Sequence, residues 1–207
     1  MVWREGLQSG VSHLEKESSR LRIAAKTVKK VLVPPSIFLV AVGCCAMTVR
    51  AADPTPSPKP SHPAFERLKK LEGRWSGPAS WDQGGKKGNV DFNLTYRTTS
   101  GGKAVMETMF AGTPGEMVTM YFLEGDDLTL VHYCSAGNQP KMKLETPRDS
   151  NVLSFRCLGG TNMTEQDSHM HWARLEFVDA DHLKGSWNSM KGDKVEWVAE
   201  AELVRQK

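Results

Sequence analysis

The sequence predicts an all-β fold of about ten short strands, arranged as an antiparallel up-and-down β-barrel behind a short N-terminal helix. Three observations carry this. From Arg74 onward, apolar residues recur with period two instead of the helical period. Turn-forming pairs punctuate the chain at regular intervals: Gly84-Gly85, Gly101-Gly102, Pro114-Gly115, Gly125-Asp126 and Gly192-Asp193. The strands so delimited are apolar on one face only, and a long sheet of that kind hides its apolar face and its edges by closing on itself.

The strands are expected at 73–81, 88–98, 103–110, 116–123, 127–134, 139–146, 151–157, 170–178, 182–190 and 194–205. Alternation is clearest late in the chain. In the last strand Glu196, Glu200 and Glu202 face out, which turns Val195, Trp197, Ala199, Ala201, Leu203 and Arg205 inward. In the eighth, Ala173, Leu175 and Phe177 face in, joined by His169 and His171 when the strand is extended backward. In the second, Val90, Phe92, Leu94 and Tyr96 oppose Asp91, Asn93 and Arg97. Before the strands, Phe65, Leu68 and Leu71 recur at helical spacing in PAFERLKKL, and Gly73 ends that pattern. A helix this short needs a surface to lie against.

What precedes this domain is different in kind. The chain has 207 residues and a net charge of +3, with the positive charge concentrated at the N-terminus. Residues 1–52 carry eight Lys/Arg against three Asp/Glu, and residues 53–207 carry nineteen against twenty-one. The folded part therefore has no basic footprint for nucleic acid. Lys29 and Lys30 precede a short apolar run, residues 31–43, and then Val49-Arg50-Ala51. A charged region, an apolar core and a small-residue cleavage site read as a secretory signal cut near Ala51. The run is too short and too proline-broken for a membrane span. Residues 1–27 form a polar preface read as upstream of the true start, near Val28. Val42-Gly43-Cys44 offers the alternative of a lipoprotein box, in which a lipidated Cys44 would tether the domain to a membrane surface. Residues 53–63, DPTPSPKPSHP, hold five prolines in eleven positions and read as an extended spacer. The domain proper is then 64–207, exported to a periplasmic or extracellular compartment.

One hairpin concentrates unusual chemistry. In LTLVHYCSAGNQPKM, residues 128–142, alternation places Leu128, Leu130, His132 and Cys134 on one face. Ser135, Ala136, Gly137 and Asn138 supply the turn. Met142 then faces in, while Lys141 and Lys143 face out. A buried histidine needs a partner, which is protein, water or ligand.

Leu71-Glu-Gly73-Arg74-Trp75-Ser-Gly77 resembles the Gly-x-Trp opening of the calycins, which include lipocalins, fatty-acid-binding proteins and nitrobindin-like haem domains. The resemblance implies that an arginine from the last strand packs on the tryptophan and closes the barrel bottom; Arg205 stands at that position. The run from Phe65 to Arg205 is similar to bacterial lipocalin-like domains of unknown function, through residues 99–107 (TSGGKAVME), 114–119 (PGEMVT), 132–140 (HYCSAGNQP) and His169-Met-His171. It implies a barrel with a ligand-holding interior and names no activity. Pro78 and Ala79 depart from the nitrobindin pattern, which has a second glycine there, so haem ligation is not carried over.

The candidate ligand-facing set is His132, Cys134, Asn138, Gln139, Met142, His169, His171 and Glu107. His132, His169 and His171 with a thiolate would suit zinc or copper; the plainer reading is a polar end of the pocket in which histidines bond to backbone or water. The eight methionines from Met106 to Met190 offer soft donors or an adaptable lining. Glu107 sits in a strand whose faces are ambiguous; paired with His132 it could do acid–base work. Cys134 and Cys157 both face inward by alternation, but on strands that are not neighbours, which favours two free thiols over a disulfide. Thr161–Gln166 is a candidate lid or an ordinary loop. Ser135 lacks the strand–turn–helix context of a nucleophile elbow. These residues support a protein that holds a small apolar or amphipathic ligand. The alternatives are haem or metal binding, and an enzyme using His132, His169 and His171.

Overall fold

The computed structural model describes residues 62–207, so the leader, the lipoprotein box and most of the proline-rich spacer lie outside the described residues. The order of elements is α1 (Pro63–Lys69), β1 (Gly73–Gln83), β2 (Lys86–Thr99), β3 (Ala104–Met109), β4 (Met117–Glu124), β5 (Asp127–Tyr133), β6 (Gln139–Leu144), β7 (Val152–Thr161), β8 (His169–Phe177), β9 (His182–Lys191) and β10 (Lys194–Gln206). Each strand pairs antiparallel with its sequence neighbours, and β1 pairs with β10 to close the barrel. The expected architecture is therefore present, with all ten strands. Among the described residues no helix is long and apolar enough to cross a membrane.

The helix begins at Pro63, inside the stretch assigned to the spacer. His62 caps it, its Nδ1 accepting from the Phe65 N–H at 3.4 Å, and Pro63 occupies a first-turn position where its missing donor costs nothing. Seven residues cannot sustain a helix alone. Burial of Ala64, Phe65 and Leu68 holds it against the barrel end, and Arg67 donates to the carbonyls of Arg148 and Asp149 at 2.7 and 3.0 Å. Helix, Trp75 and Arg205 define the closed end. The hairpins β1–β2, β3–β4, β5–β6, β7–β8 and β9–β10 define the opposite, open end.

The core is built by the alternation read from sequence: Phe92, Leu94, Leu128, Leu130, Met142, Leu153, Phe155, Leu175, Leu183 and Leu203 are buried. Alternation fails where the ladder is irregular. Register shifts fall at Lys141/Met142, Met170/Trp172 and Val195/Trp197, leaving Leu158, His171 and Glu196 as extra residues in their strands. All three lie near the open end. They explain why Val195, expected inside, is 57% exposed. Val90, also expected inside, is exposed toward the end of the β1–β2 ribbon.

Candidate functional site

The most chemically loaded part of the interior is a single rung across four strands. Tyr96 on β2 lies opposite Glu107 on β3, Glu107 opposite Thr119 on β4, and Thr119 opposite His132 on β5. Because strands tilt in a closed barrel, the rung climbs from Tyr96, which pairs with Gly73 at the closed end, to His132, next to last in β5. Tyr121, two residues beyond Thr119, joins it by donating to Glu107 Oε2 at 2.5 Å. Thr119 Oγ1 lies 2.9 Å from His132 Nδ1. All five side chains are buried.

Burial sets the charge of this group. Desolvation pushes the Glu107 carboxyl up to about 7, and the hydroxyls of Tyr121 and Tyr96 only partly offset it. Desolvation also pulls His132 down to about 4, so its imidazole is neutral near pH 7. Both tyrosines are held well above their usual range by burial and by the neighbouring carboxyl. Near pH 7 the rung thus carries only the partial charge of a half-ionised Glu107 and keeps donors and acceptors of both kinds. Three of its polar atoms have no partner: Tyr96 Oη, Glu107 Oε1 and His132 Nε2. Tyr96 is near enough to favour the Glu107 anion, but no bond of ordinary hydrogen-bond geometry joins them. An unsatisfied buried polar atom costs about 1–3 kcal/mol, so the three on this inner rung call for a hydrogen-bonding partner, water or ligand.

A second cluster lies on β7 and β8. The ligand atoms of Cys157, His169 and His171 are all within 4.8 Å of one another. His169 is buried, and the other two are half-buried. His169 Nδ1 bonds to the Asp167 carbonyl at 2.8 Å, and its Nε2 lies 3.1 Å from His171 Nδ1. Burial pulls His171 down, helped by His169 and Arg156, and pushes the Cys157 thiol up.

The expected set is thus divided. His132 and Glu107 belong to the inner rung, and His169 and His171 to the second cluster. Met142 is fully buried opposite Cys157. The expected inward Cys134 is corrected: it lies just past the end of β5, half-buried, and its sulfur accepts from the Ala136 N–H of its own turn. Strand alternation does not extend into the turn, and Cys157 is the cysteine that joins the histidines. Both cysteines are free. Asn138 is buried and donates to the Ser168 carbonyl at 2.8 Å, while the half-buried Gln139 accepts from Asn162 at 2.9 Å. These two therefore hold the β7–β8 connection, residues 162–168, against the β5–β6 turn. Gly192 donates to the Glu165 carbonyl on its other side. The candidate lid is a strap fastened at both edges. Of the eight methionines, Met109, Met142 and Met170 are buried.

Sequence reasoning placed Tyr96 on an apolar face as ordinary core and did not single out Tyr121. Only the register of Tyr96 with Glu107 and the cross-strand bond from Tyr121 to Glu107 reveal them. Two open clefts lie elsewhere. One of about 730 Å³ runs along the β1–β2 and β9–β10 ends beside Trp81 and Trp197, and one of about 510 Å³ lies against Arg174, Lys184 and Glu202. Both are open, and none of the three unpartnered rung atoms lines them. Volume alone does not locate the chemistry.

No protein-family model matches the chain, and no curated protein matches it either. Solved structures do. A protein of unknown function from the DUF3598 family of Nostoc punctiforme aligns over 67% of this chain at 10% identity and a TM-score of 0.49; the chain spans about half, 49%, of that protein. Rv2717c from M. tuberculosis aligns over 70% of this chain and 98% of its own at 15% identity and 0.49. The S-type phycobiliprotein lyase CPES of Guillardia theta aligns over 69% and 92% at 9% identity and 0.39. These are likenesses of barrel to barrel, and at these scores they say nothing about what this chain binds.

Proposed function

We propose that this chain is an exported binding protein that holds a small amphipathic molecule inside its barrel, with the ligand's polar group on the Tyr96–Glu107–His132 rung. One observation carries the reading: three buried polar atoms on a single inner rung lack protein partners. A carboxylic acid, amide or hydroxyl would satisfy them, because Glu107, titrating at about 7, can donate or accept and His132 offers its Nε2 in either tautomer. The apolar part would lie against the Leu, Met and Phe side chains that surround the rung. The leader of residues 1–52 and the spacer behind it support export; a lipidated Cys44 is the variant in which the barrel stays at a membrane surface.

Uptake of two fluorescent lipophiles by the full chain tests this, one an aromatic sulfonate and one a long-chain fatty acid with a conjugated tetraene. Saturable binding of the fatty acid, weakened about tenfold or more by His132→Ala, is expected. Absence of saturable binding, or binding indifferent to both His132→Ala and Glu107→Ala, overturns the reading and leaves ordered water as the rung's partner.

A further inference from the structure

We propose that Cys157, His169 and His171 form a binding site for one transition-metal ion of the zinc–copper class. Two imidazoles and a thiolate are a borderline-soft donor set that favours these metals over magnesium or calcium.

Three features of the fold prepare the site. His169 donates Nδ1–H to the Asp167 carbonyl, which leaves the Nε2 lone pair directed at the cluster; such an outer hydrogen bond is how metal-bound histidines are oriented. That Nε2 lies 3.1 Å from His171 Nδ1. Two nitrogens on a tetrahedral metal at ~2.0–2.1 Å stand roughly 3.3 Å apart, so the pair already has nearly the spacing of a shared ion. Cys157 Sγ accepts from the Gly159 N–H at 3.3 Å, a bond that supports a thiolate. All three donor atoms lie within 4.8 Å of one another, so side-chain movements of about 1 Å bring them to ligand spacing.

The backbone departs from regular pairing at this place. Leu158, beside Cys157, is the extra residue of β7, and His171 is itself the extra residue of β8. Bulges re-aim side chains, and here two of them flank one cluster. The strap between β7 and β8 carries Asp167 and is anchored by Asn138 and Gly192. Met142 places a thioether on the same rung as Cys157. Binding displaces the Cys157 thiol proton to solvent, shifts the His171 ring proton from Nδ1 to Nε2, and replaces the His169–His171 hydrogen bond with two metal–nitrogen bonds. Three protein donors leave a fourth tetrahedral position for water or another exchangeable ligand.

Reduced full-length chain, stripped with chelator and dialysed, is titrated with cobalt(II) and then zinc(II). One cobalt per chain is expected, with intense tetrahedral visible bands and a near-ultraviolet thiolate charge-transfer band, both bleached by zinc. Cys157→Ser removes the charge-transfer band. His169→Ala and His171→Gln each weaken cobalt binding at least about tenfold. Cys134→Ser and Glu107→Gln change neither band nor affinity, which separates this site from the ligand rung. Occupancy below about a tenth of an equivalent, or a charge-transfer band that survives Cys157→Ser, overturns the proposal. Should circular dichroism show Cys157→Ser unfolded, His171→Gln decides: unchanged cobalt affinity contradicts the site.

Discussion

Arg205 lies over the indole of Trp75, its guanidinium carbon 4.4 Å from the ring centroid, and the two residues are register partners across the β1–β10 seam. The fork of the same guanidinium donates to the carbonyls of Glu72 at 2.6 Å, Lys70 at 2.8 Å and Ala180 at 3.1 Å. The indole Nε1 donates to the Leu71 carbonyl at 2.7 Å. One cation thus joins the first strand, the last strand, the end of the helix segment and the β8–β9 turn. Arg205→Ala is expected to destabilise the domain by about 1–3 kcal/mol, through lost stem packing, a half-screened cation–π contact and orphaned carbonyls. Arg205→Lys recovers only part, because an ammonium has no plane to stack. Urea unfolding of the three proteins measures this, and an unchanged midpoint in Arg205→Ala contradicts it.

Gly77 makes the same seam intolerant of side chains. A Cβ there would stand 1.9 Å from the Glu202 carbonyl oxygen, a backbone atom that cannot swing away. Gly77→Ala is expected to cost on the order of 3 kcal/mol or more, the upper end for overpacking. A thermal melt superimposable on wild type would show that β1 and β10 separate there without cost.

Glu107 and His132 pull stability in opposite directions with pH. Glu107 titrates near 4.5 when unfolded and at about 7 when folded, so stability falls as pH rises through that window and the carboxyl must ionise in the core. His132 titrates near 6.5 unfolded and at about 4 folded, so stability rises across its window and is lost as pH falls. Each swing is about 3 kcal/mol, and the two nearly cancel between pH ~4.5 and ~6.5. Glu107→Gln should therefore expose a stability that climbs with pH, and His132→Gln one that declines. Unfolding free energies at several pH values check both; parallel profiles for the two variants would contradict the assignment.

The strap is testable through its edge. Asn138→Ala removes the bond to the Ser168 carbonyl and should cost about 1 kcal/mol. Faster cleavage at Glu165, exposed in the strap, by a glutamate-specific protease is the expected signature, and an unchanged nicking rate contradicts the anchoring role.

Period-two alternation and regular turns made the barrel legible in the sequence, because they depend on local pattern, whereas the closed end and the Trp75–Arg205 contact were implied by the resemblance of the Gly-x-Trp opening to the calycins. The site was legible only in part. Glu107 lies in Ala-Val-Met-Glu-Thr-Met, where both faces are largely apolar, so its burial is decided by the neighbouring strands. Tyr96 and Tyr121 gain meaning only through cross-strand register, which one sequence does not contain. Cys134 and Cys157 both face inward by alternation, which registers neither the turn that takes Cys134 out of β5 nor the bulge at Leu158 beside Cys157, the cysteine that meets His169 and His171.

The central claim is that the barrel interior receives a molecule at the Tyr96–Glu107–His132 rung. Native mass spectrometry of the full chain after incubation with a bacterial metabolite and lipid extract tests it most directly. The account predicts a one-to-one adduct of an amphipathic small molecule on wild type that is lost or weakened about tenfold in both Glu107→Ala and His132→Ala, and unaffected in Cys157→Ser. A chain that carries no adduct, or an adduct retained equally by the two rung variants while they remain folded, would contradict it.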